Sequence, residues 1–259
     1  MIKFTIITIT YNAEKNLPVT IESVKQQKYS NIEHIIVDGA SKDSTVYIAK
    51  NYKENINKEL TNIEVKLISE PDDGLYYAMN KGLKLASGDF TLFLNAGDSL
   101  KDSRTLELIA DKLQESTEPE LPEIVYGDTD IVDKTGKFLR HRRLKTPKHL
   151  TKNSFLKGMT VCHQAFFVQT SLAKTQLYDI KYRYSADFDW CIRIMKTAKK
   201  PKNFMKLPFV TTLYLDEGLT TANHEASLKE RFTIMCKHYG YFKTILMHIW
   251  FVIRAVFKK

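Results

Sequence analysis

The sequence predicts an α/β fold in which a mostly parallel sheet of βαβ units leads into a mixed α+β half and ends in helices. Three observations carry that reading. Through the first hundred residues, short β-branched apolar runs alternate with helix-like stretches, the pattern of strands buried on both faces by crossover helices. The segment Glu118-Pro119-Glu120-Leu121-Pro122 then punctuates the chain, and the pattern beyond it is irregular. Helical periodicity returns at 186–198 and from 224 to the end. The expected units are 1–115, 116–223 and a C-terminal helical segment, 224–259.

In order, strands are expected at Phe4–Thr10, 32–37, 63–68 and 90–94, separated by helices at 14–27, 43–52 and 75–86. A helix at 102–115 closes the first half. The second half offers a strand at 124–126, a hairpin-like turn at Thr135-Gly136 and an apolar strand at 165–168. With 259 residues and 43% apolar content the chain can bury a sizeable core. Only 10 Gly and 7 Pro exclude collagen-like or low-complexity character. Cys162, Cys191 and Cys236 are far apart and fit neither a zinc site nor a disulfide framework, so reduced structural thiols are expected. The N-terminus lacks a signal-peptide core, and no stretch reaches the ~20 apolar residues a bilayer span needs. A cytoplasmic protein is therefore expected.

In an open α/β sheet, ligands bind outside the carboxyl ends of the strands. Those ends carry Tyr11-Asn12, Asp38-Gly39, Glu70-Pro71-Asp72-Asp73-Gly74 and Asn95-Ala96-Gly97-Asp98. One Asp after a strand is ordinarily a cap or turn residue; four polar or acidic exits in succession point to a site. The cradle is not a dinucleotide fingerprint, because Thr10-Tyr11-Asn12-Ala13-Glu14 holds no glycine, and no P-loop pattern occurs. Without a glycine cradle, a diphosphate at this acidic rim needs a divalent cation between it and a carboxylate, Mg2+ or Mn2+.

Taken in series, Ile6-Ile7-Thr8-Ile9-Thr10-Tyr11-Asn12, Val37-Asp38-Gly39-Ala40-Ser41, Glu70-Pro71-Asp72-Asp73-Gly74-Leu75-Tyr76-Tyr77-Ala78-Met79-Asn80 and Phe93-Leu94-Asn95-Ala96-Gly97-Asp98 resemble family 2 glycosyltransferases of the GT-A fold, especially bacterial enzymes of surface-polysaccharide assembly. The match is dense over 1–100, thinner over 158–198, and nearly absent at 118–157 and 200–259. The resemblance implies a single GT-A-type domain and an inverting transfer from a nucleotide-diphosphate sugar, with UDP as the expected nucleotide. It implies that Thr10, Tyr11, Asp38 and Asp72 hold the nucleoside, that Asn80 lies on the helix behind the pocket with a side chain that reaches the phosphates or caps a turn, and that Asp98 is the metal ligand. Asn95 stands where relatives often carry a further acid; it can bond a donor-sugar hydroxyl but adds no charge. Tyr77 replaces a frequent Asp, an exchange nothing in the sequence explains.

Inverting transfer needs a carboxylate to take the acceptor hydroxyl proton. Ser185-Ala186-Asp187-Phe188-Asp189-Trp190 resembles the family's acidic catalytic motif, with Asp187 aligned to the base and Ala186 in place of the usual Glu. Acids at i and i+2 do not share a helix face, so Asp189 is expected to have a separate job on the acceptor side, to cap or orient. His163-Gln164 resembles a His-Gln found near the acceptor site of related enzymes.

The formal charge is +9, from 39 Lys+Arg against 30 Asp+Glu, and favours anionic partners. Residues 134–157 hold nine Lys/Arg and no acid. From Phe242 onward, Ile245, Leu246, Ile249, Trp250, Ile253, Val256 and Phe257 gather on one side of a helical wheel. Lys243, His248, Arg254, Lys258 and Lys259 gather opposite, with Met247 and Phe251 blurring the polar face. That is the pattern of a basic helix lying in a bilayer interface, or of one packed on protein. The expected setting is the inner face of the plasma membrane, with an acceptor saccharide carried on a polyprenyl diphosphate. A non-enzymatic basic protein binding membrane or nucleic acid is the alternative. Acids at the strand exits would repel a polyanion, and only Phe138 and Phe155 interleave the basic run, so nucleic acid is not expected as a partner.

Overall fold

The computed structural model describes residues 1–59, 63–200, 203–216 and 223–256, without the side chains of 254–256. Apolar runs in the first half become β1 (Phe4–Thr10), β2 (Ile32–Asp38), β3 (Ile63–Ser69) and β4 (Phe90–Phe93), all parallel, in the order β3-β2-β1-β4. Helices α1 (Leu17–Lys25), α2 (Thr45–Lys58) and α3 (Leu75–Leu85) connect them. The first two helices are shifted from their expected bounds. Residues 11–16 are not helical because their backbone is held by the β2 exit: Asn12 N–H donates to Ser41, Ala13 N–H to Thr45 and Glu14 N–H to Asp43. Pro18 then opens α1 at a position where its missing N–H costs nothing.

Successive side chains of a strand face opposite ways, and the core divides accordingly. Phe4, Ile6, Ile32, Ile36, Phe90 and Leu92 pack with α1, α2 and α4 (Thr105–Gln114) on one face. Ile7, Ile9, Ile35, Val37 and Phe93 pack on the other with α3 and α6 (Ala186–Thr197). Buried Glu33 on β2 is satisfied by Thr5, Ser87 and Lys66.

The second half is more regular than the sequence suggests, and it extends the same sheet. Beside β4 lie β8 (Phe166–Gln169), β6 (Ile124–Val132) and β9 (Met205–Leu215), with the two-residue β5 (Ser99–Leu100) on β9 and β7 (Phe138–His141) on β6. The strand expected at 124–126 thus runs nine residues, and β9, which sequence pattern did not reveal, is eleven long. Both were obscured by local breaks: β6 and β9 change register around Gly127 and Asp128, and Pro208 interrupts β9. The 1–115 and 116–223 segments share one nine-stranded sheet. Short α5 (Thr170–Lys174) follows β8, and α7 (His224–Tyr239) and α8 (Tyr241–Val256) complete the described chain. Among the described residues no helix is long and apolar enough to cross a membrane, and all three cysteines are free thiols.

Candidate active site

Parallel pairing lines up the four strand exits. Thr10 pairs with Asp38 and Asp38 with Ser69 in register, while Ala96 N–H donates to Ile9 O on the other side of β1. Neighbouring strands lie ~4.8 Å apart, so the rim from Glu70 through Asp38 and Thr10 to Asn95 is continuous. Two non-glycine residues on it have left-handed backbone, Asn12 (φ 47°) and Ala40 (φ 59°). For Ala this costs on the order of 1–2 kcal/mol, and such strain persists only where surroundings impose it. Here the ties between the β1 and β2 loops do so, with Lys42 N–H donating to Asn12 Oδ1 and Gly39 N–H to Thr10 O.

Tyr11 is 63% exposed, its ring beside Gly39, where Asp72 also comes close. Asp38 is buried, its carboxylate accepting from Ser41 N–H, Ser41 Oγ and Ser69 Oγ. Lys81 on α3 forms ion pairs with Asp72 and with Glu70 (2.7 Å). These residues form one aromatic and acidic corner at the β1–β3 exits. Asn80 does not join it. Its amide oxygen accepts from Tyr178 N–H (2.7 Å) and its NH2 donates to Tyr178 O (3.0 Å), so both ends clamp α3 to the chain before α6. Of the two roles the sequence left open for Asn80, the structure shows its amide in a backbone tie of the capping kind.

Asp98 ends the turn after β4. The turn needs Gly97 at φ 102°, where a Cβ would stand 2.9 Å from Leu215 Cδ2. Asp98 is 5% exposed; Oδ1 accepts from Leu215 N–H (3.1 Å) and Oδ2 from Gln164 Nε2 (2.9 Å). Burial pushes its carboxyl up to about 6, against the opposing pull of these two donors and of nearby His163.

Gln164 lies in a single 3-10 turn, His163–Ala165, and the residue before it serves the second key acid. His163 Nδ1 stands 3.4 Å from Asp187 Oδ2, and Tyr76 Oη donates to Asp187 Oδ1 (3.2 Å). Adjacent residues of one turn therefore meet Asp98 and Asp187. Burial would raise the Asp187 carboxyl, but the His163 contact, the Arg231 charge on α7 and the Phe188 N–H outweigh it and hold Asp187 below the ordinary carboxylate range. Beneath Asp187, Tyr76, Tyr178 and Trp190 stack in series, with centroids 5.5 and 5.1 Å apart.

Asp189 has other company. Fully buried, it bonds Arg193 (2.6 Å), His238 (2.8 Å) and Lys237 (3.3 Å), and these partners hold it far below its usual range despite burial. It ties α6 to α7, an orienting role. Tyr76 and Arg231 were not singled out from sequence: Tyr76 sits inside the quoted Asp72–Asn80 motif, but its tie to a residue 111 positions away has no local signal.

A divalent cation fits Asp98. Its hydrogen-bond donors are neutral amides, its charge is costly as it stands, and Asn95 Oδ1 nearby is buried without a hydrogen bond among the described residues. No group of three or more His, Cys, Asp or Glu gathers among the described residues to encase an ion. A cation held by Asp98 alone would take its remaining ligands from diphosphate and water, the habit of Mg2+ in nucleotide sites. Thr10 Oγ1 and His163 Nε2 are likewise buried without a hydrogen bond among the described residues.

A nine-stranded mixed sheet with an acidic rim and a carboxylate facing it from the second half defines a nucleotide-sugar type of transferase architecture. The chain belongs to glycosyl transferase family 2, whose family profile matches residues 5–174. It is similar to the PGL/p-HBAD biosynthesis glycosyltransferase of Mycobacterium tuberculosis, 34% identical over 203 residues, which are 78% of this chain and 73% of that protein. It is also similar to the amylovoran biosynthesis glycosyltransferase AmsB of Erwinia amylovora, 30% identical over 212 residues, 77% of this chain and 66% of that one. Among solved structures, TarS 1-349 of S. aureus in complex with UDP-GlcNAc superposes with a TM-score of 0.66 at 18% identity, covering 93% of this chain and 69% of that one. The fold is therefore GT-A-like, as the sequence motifs imply, and the non-enzymatic alternative is set aside.

Proposed function

We propose that the chain moves a sugar, with inversion, from a nucleotide-diphosphate donor, UDP-linked, to a saccharide acceptor in cell-surface polysaccharide or glycolipid assembly. The observation that carries this is the His163–Gln164 turn, which brings Asp98 from the nucleotide half and Asp187 from the second half to one place. At the rim, Tyr11 offers an open aromatic face to the base; Asp38, held by Ser41 and Ser69, and Asp72, paired with Lys81, would meet nucleoside donors by exchanging these partners. Thr10 Oγ1 and Asn95 Oδ1 are polar atoms with no hydrogen bond of their own among the described residues, suited to ribose, phosphate or sugar groups. Mg2+ or Mn2+ on Asp98, when bound, neutralises charge on the departing diphosphate.

Asp187 is the base in this reading. Kept anionic, it accepts the proton of the acceptor hydroxyl as that oxygen bonds to the anomeric carbon and the bond from that carbon to the diphosphate breaks. Tyr76 and His163 fix the carboxylate without neutralising it. His163 and Gln164 thereby act on both sides: Gln164 steadies the metal ligand, His163 the base.

Calorimetric titration of UDP with Mg2+ or Mn2+ tests the donor half. The wild type is expected to bind UDP with metal and to lose at least ~10-fold in affinity with EDTA or in Asp98→Ala, as removal of a metal contact does. Equal affinity in all three would remove Asp98 from the metal role. A panel of nucleotide sugars, read by thermal stabilisation, then identifies the donor.

A further inference from the structure

Helix α8 shows apolar side chains on both faces. Met247 and Phe251, which blur the polar side of the helical wheel, turn inward onto the core, as does buried Thr244. His248 follows them, in edge contact with Phe232 and Phe251. The opposite face is left outside: Phe242 (74% exposed), Leu246 (51%), Ile249 (50%), Trp250 (40%) and Ile253 (49%). At spacings of four, three, one and three these form one stripe, ~17 Å long at 1.5 Å per residue. The expected positions Phe257, Lys258 and Lys259 lie outside the described residues, as do the side chains of Arg254 and Val256.

The sequence that ends in this helix carries charge of one sign. No acidic residue follows Glu230 in the chain, while Arg231, Lys237, Lys243, Arg254, Lys258 and Lys259 do. The acid-free segment 134–157 also reaches this corner. Its 3-10 turn Ser154–Lys157 packs against α8, and Tyr239 Oη at the end of α7 donates to Lys152 O. Lys148, Lys152, Lys157 and Lys243 are exposed. A second copy of this chain would bring like charges together across the stripe. An anionic lipid surface meets both demands, taking the apolar side chains among its acyl chains and the lysines at its headgroups.

We propose that the outer face of α8 and the adjoining part of the 134–157 segment form a docking surface for an anionic bilayer interface. The same helices are tied to the base: α7 bonds Asp189 on α6 through His238 and Lys237, and its Glu230 accepts from Arg183 and Tyr184 N–H just before Asp187. Docking through α8 therefore holds the acceptor half at the membrane. Resting on the glycosyltransferase reading above, this makes the acceptor a lipid-borne saccharide.

Vesicle flotation of the full chain tests it, using phosphatidylcholine with and without phosphatidylglycerol. The wild type is expected to float with the anionic vesicles, at least ~10-fold more than with neutral ones, and to be released by high salt. Leu246→Glu/Ile249→Glu/Ile253→Glu and, separately, Lys152→Glu/Lys157→Glu are expected to stay unbound while keeping the wild-type melting temperature and UDP affinity. Failure of the wild type to float, flotation unchanged in the apolar triple variant, or equal flotation with neutral vesicles would overturn the proposal. So would sedimentation showing that the wild type dimerises through the stripe. The UDP titration separates these outcomes from a failure of the donor reading.

Discussion

Asp98 is a buried carboxylate and Asp187 a half-buried one, and their surroundings push them in opposite directions. Asp187 gains from His163 and Arg231 and stays anionic; Asp98 faces only neutral donors at close range, and burial wins. Environments that split two acids in this way mark acid–base and metal roles. A carboxyl raised to about 6 favours the folded state in its protonated form, so this contribution is fully present below its ordinary range and is lost as pH rises through about 6. A cation recovers that loss, but it binds only the deprotonated form. Metal-supported UDP affinity is therefore expected to fall about 10-fold per pH unit below about 6 and to level off above it. Calorimetry across that range checks this; an affinity flat with pH would contradict the Asp98 assignment.

At the scale of elements, α6 is held by one residue in particular. Asp189 joins Arg193, Lys237 and His238 in a buried network. Removing Asp189 leaves its partners unpaired, but Arg193 and Lys237 keep access to water (19% and 40% exposed), so the cost is on the order of 1–3 kcal/mol. Asp189→Ala is expected to lower the melting temperature, and UDP affinity measured well below the transition is expected to hold, because the donor rim lies on other elements. An unchanged melting temperature would show that α7 does not depend on this tie. The elements of the first half were legible because β1, β2 and β4 are buried on both faces and read as mostly apolar runs, while edge strand β3 keeps a short alternating pattern. The longer β6 and β9 were not, since Gly127, Asp128 and Pro208 interrupt the periodicity where the ladder shifts register. The rim acids could be found because each directly follows a strand. Asn80 could not be judged that way: whether a helix amide faces ligand or clamps Tyr178 depends on packing 98 residues away. Nor could the tail, where Met247 and Phe251 made sense only once α8 had a core to lie on.

Over the whole molecule, one sheet carries both parts of the proposed site. Its parallel half supplies an acidic edge and Asp98; its mixed half supplies the 3-10 turn and the helix bearing Asp187. Because the sheet is continuous, the spacing of Asp98 and Asp187, the proposed metal ligand and base, is set by one fold unit. The central claim is that Asp187 takes the acceptor proton in the site that Asp98 completes. It is tested most directly by Asp187→Asn, which keeps the shape and removes the basicity, measured for transfer from the donor identified by the nucleotide-sugar panel and for UDP affinity with metal. The expected result is transfer reduced at least ~100-fold with UDP affinity unchanged. Transfer at the wild-type rate would contradict it.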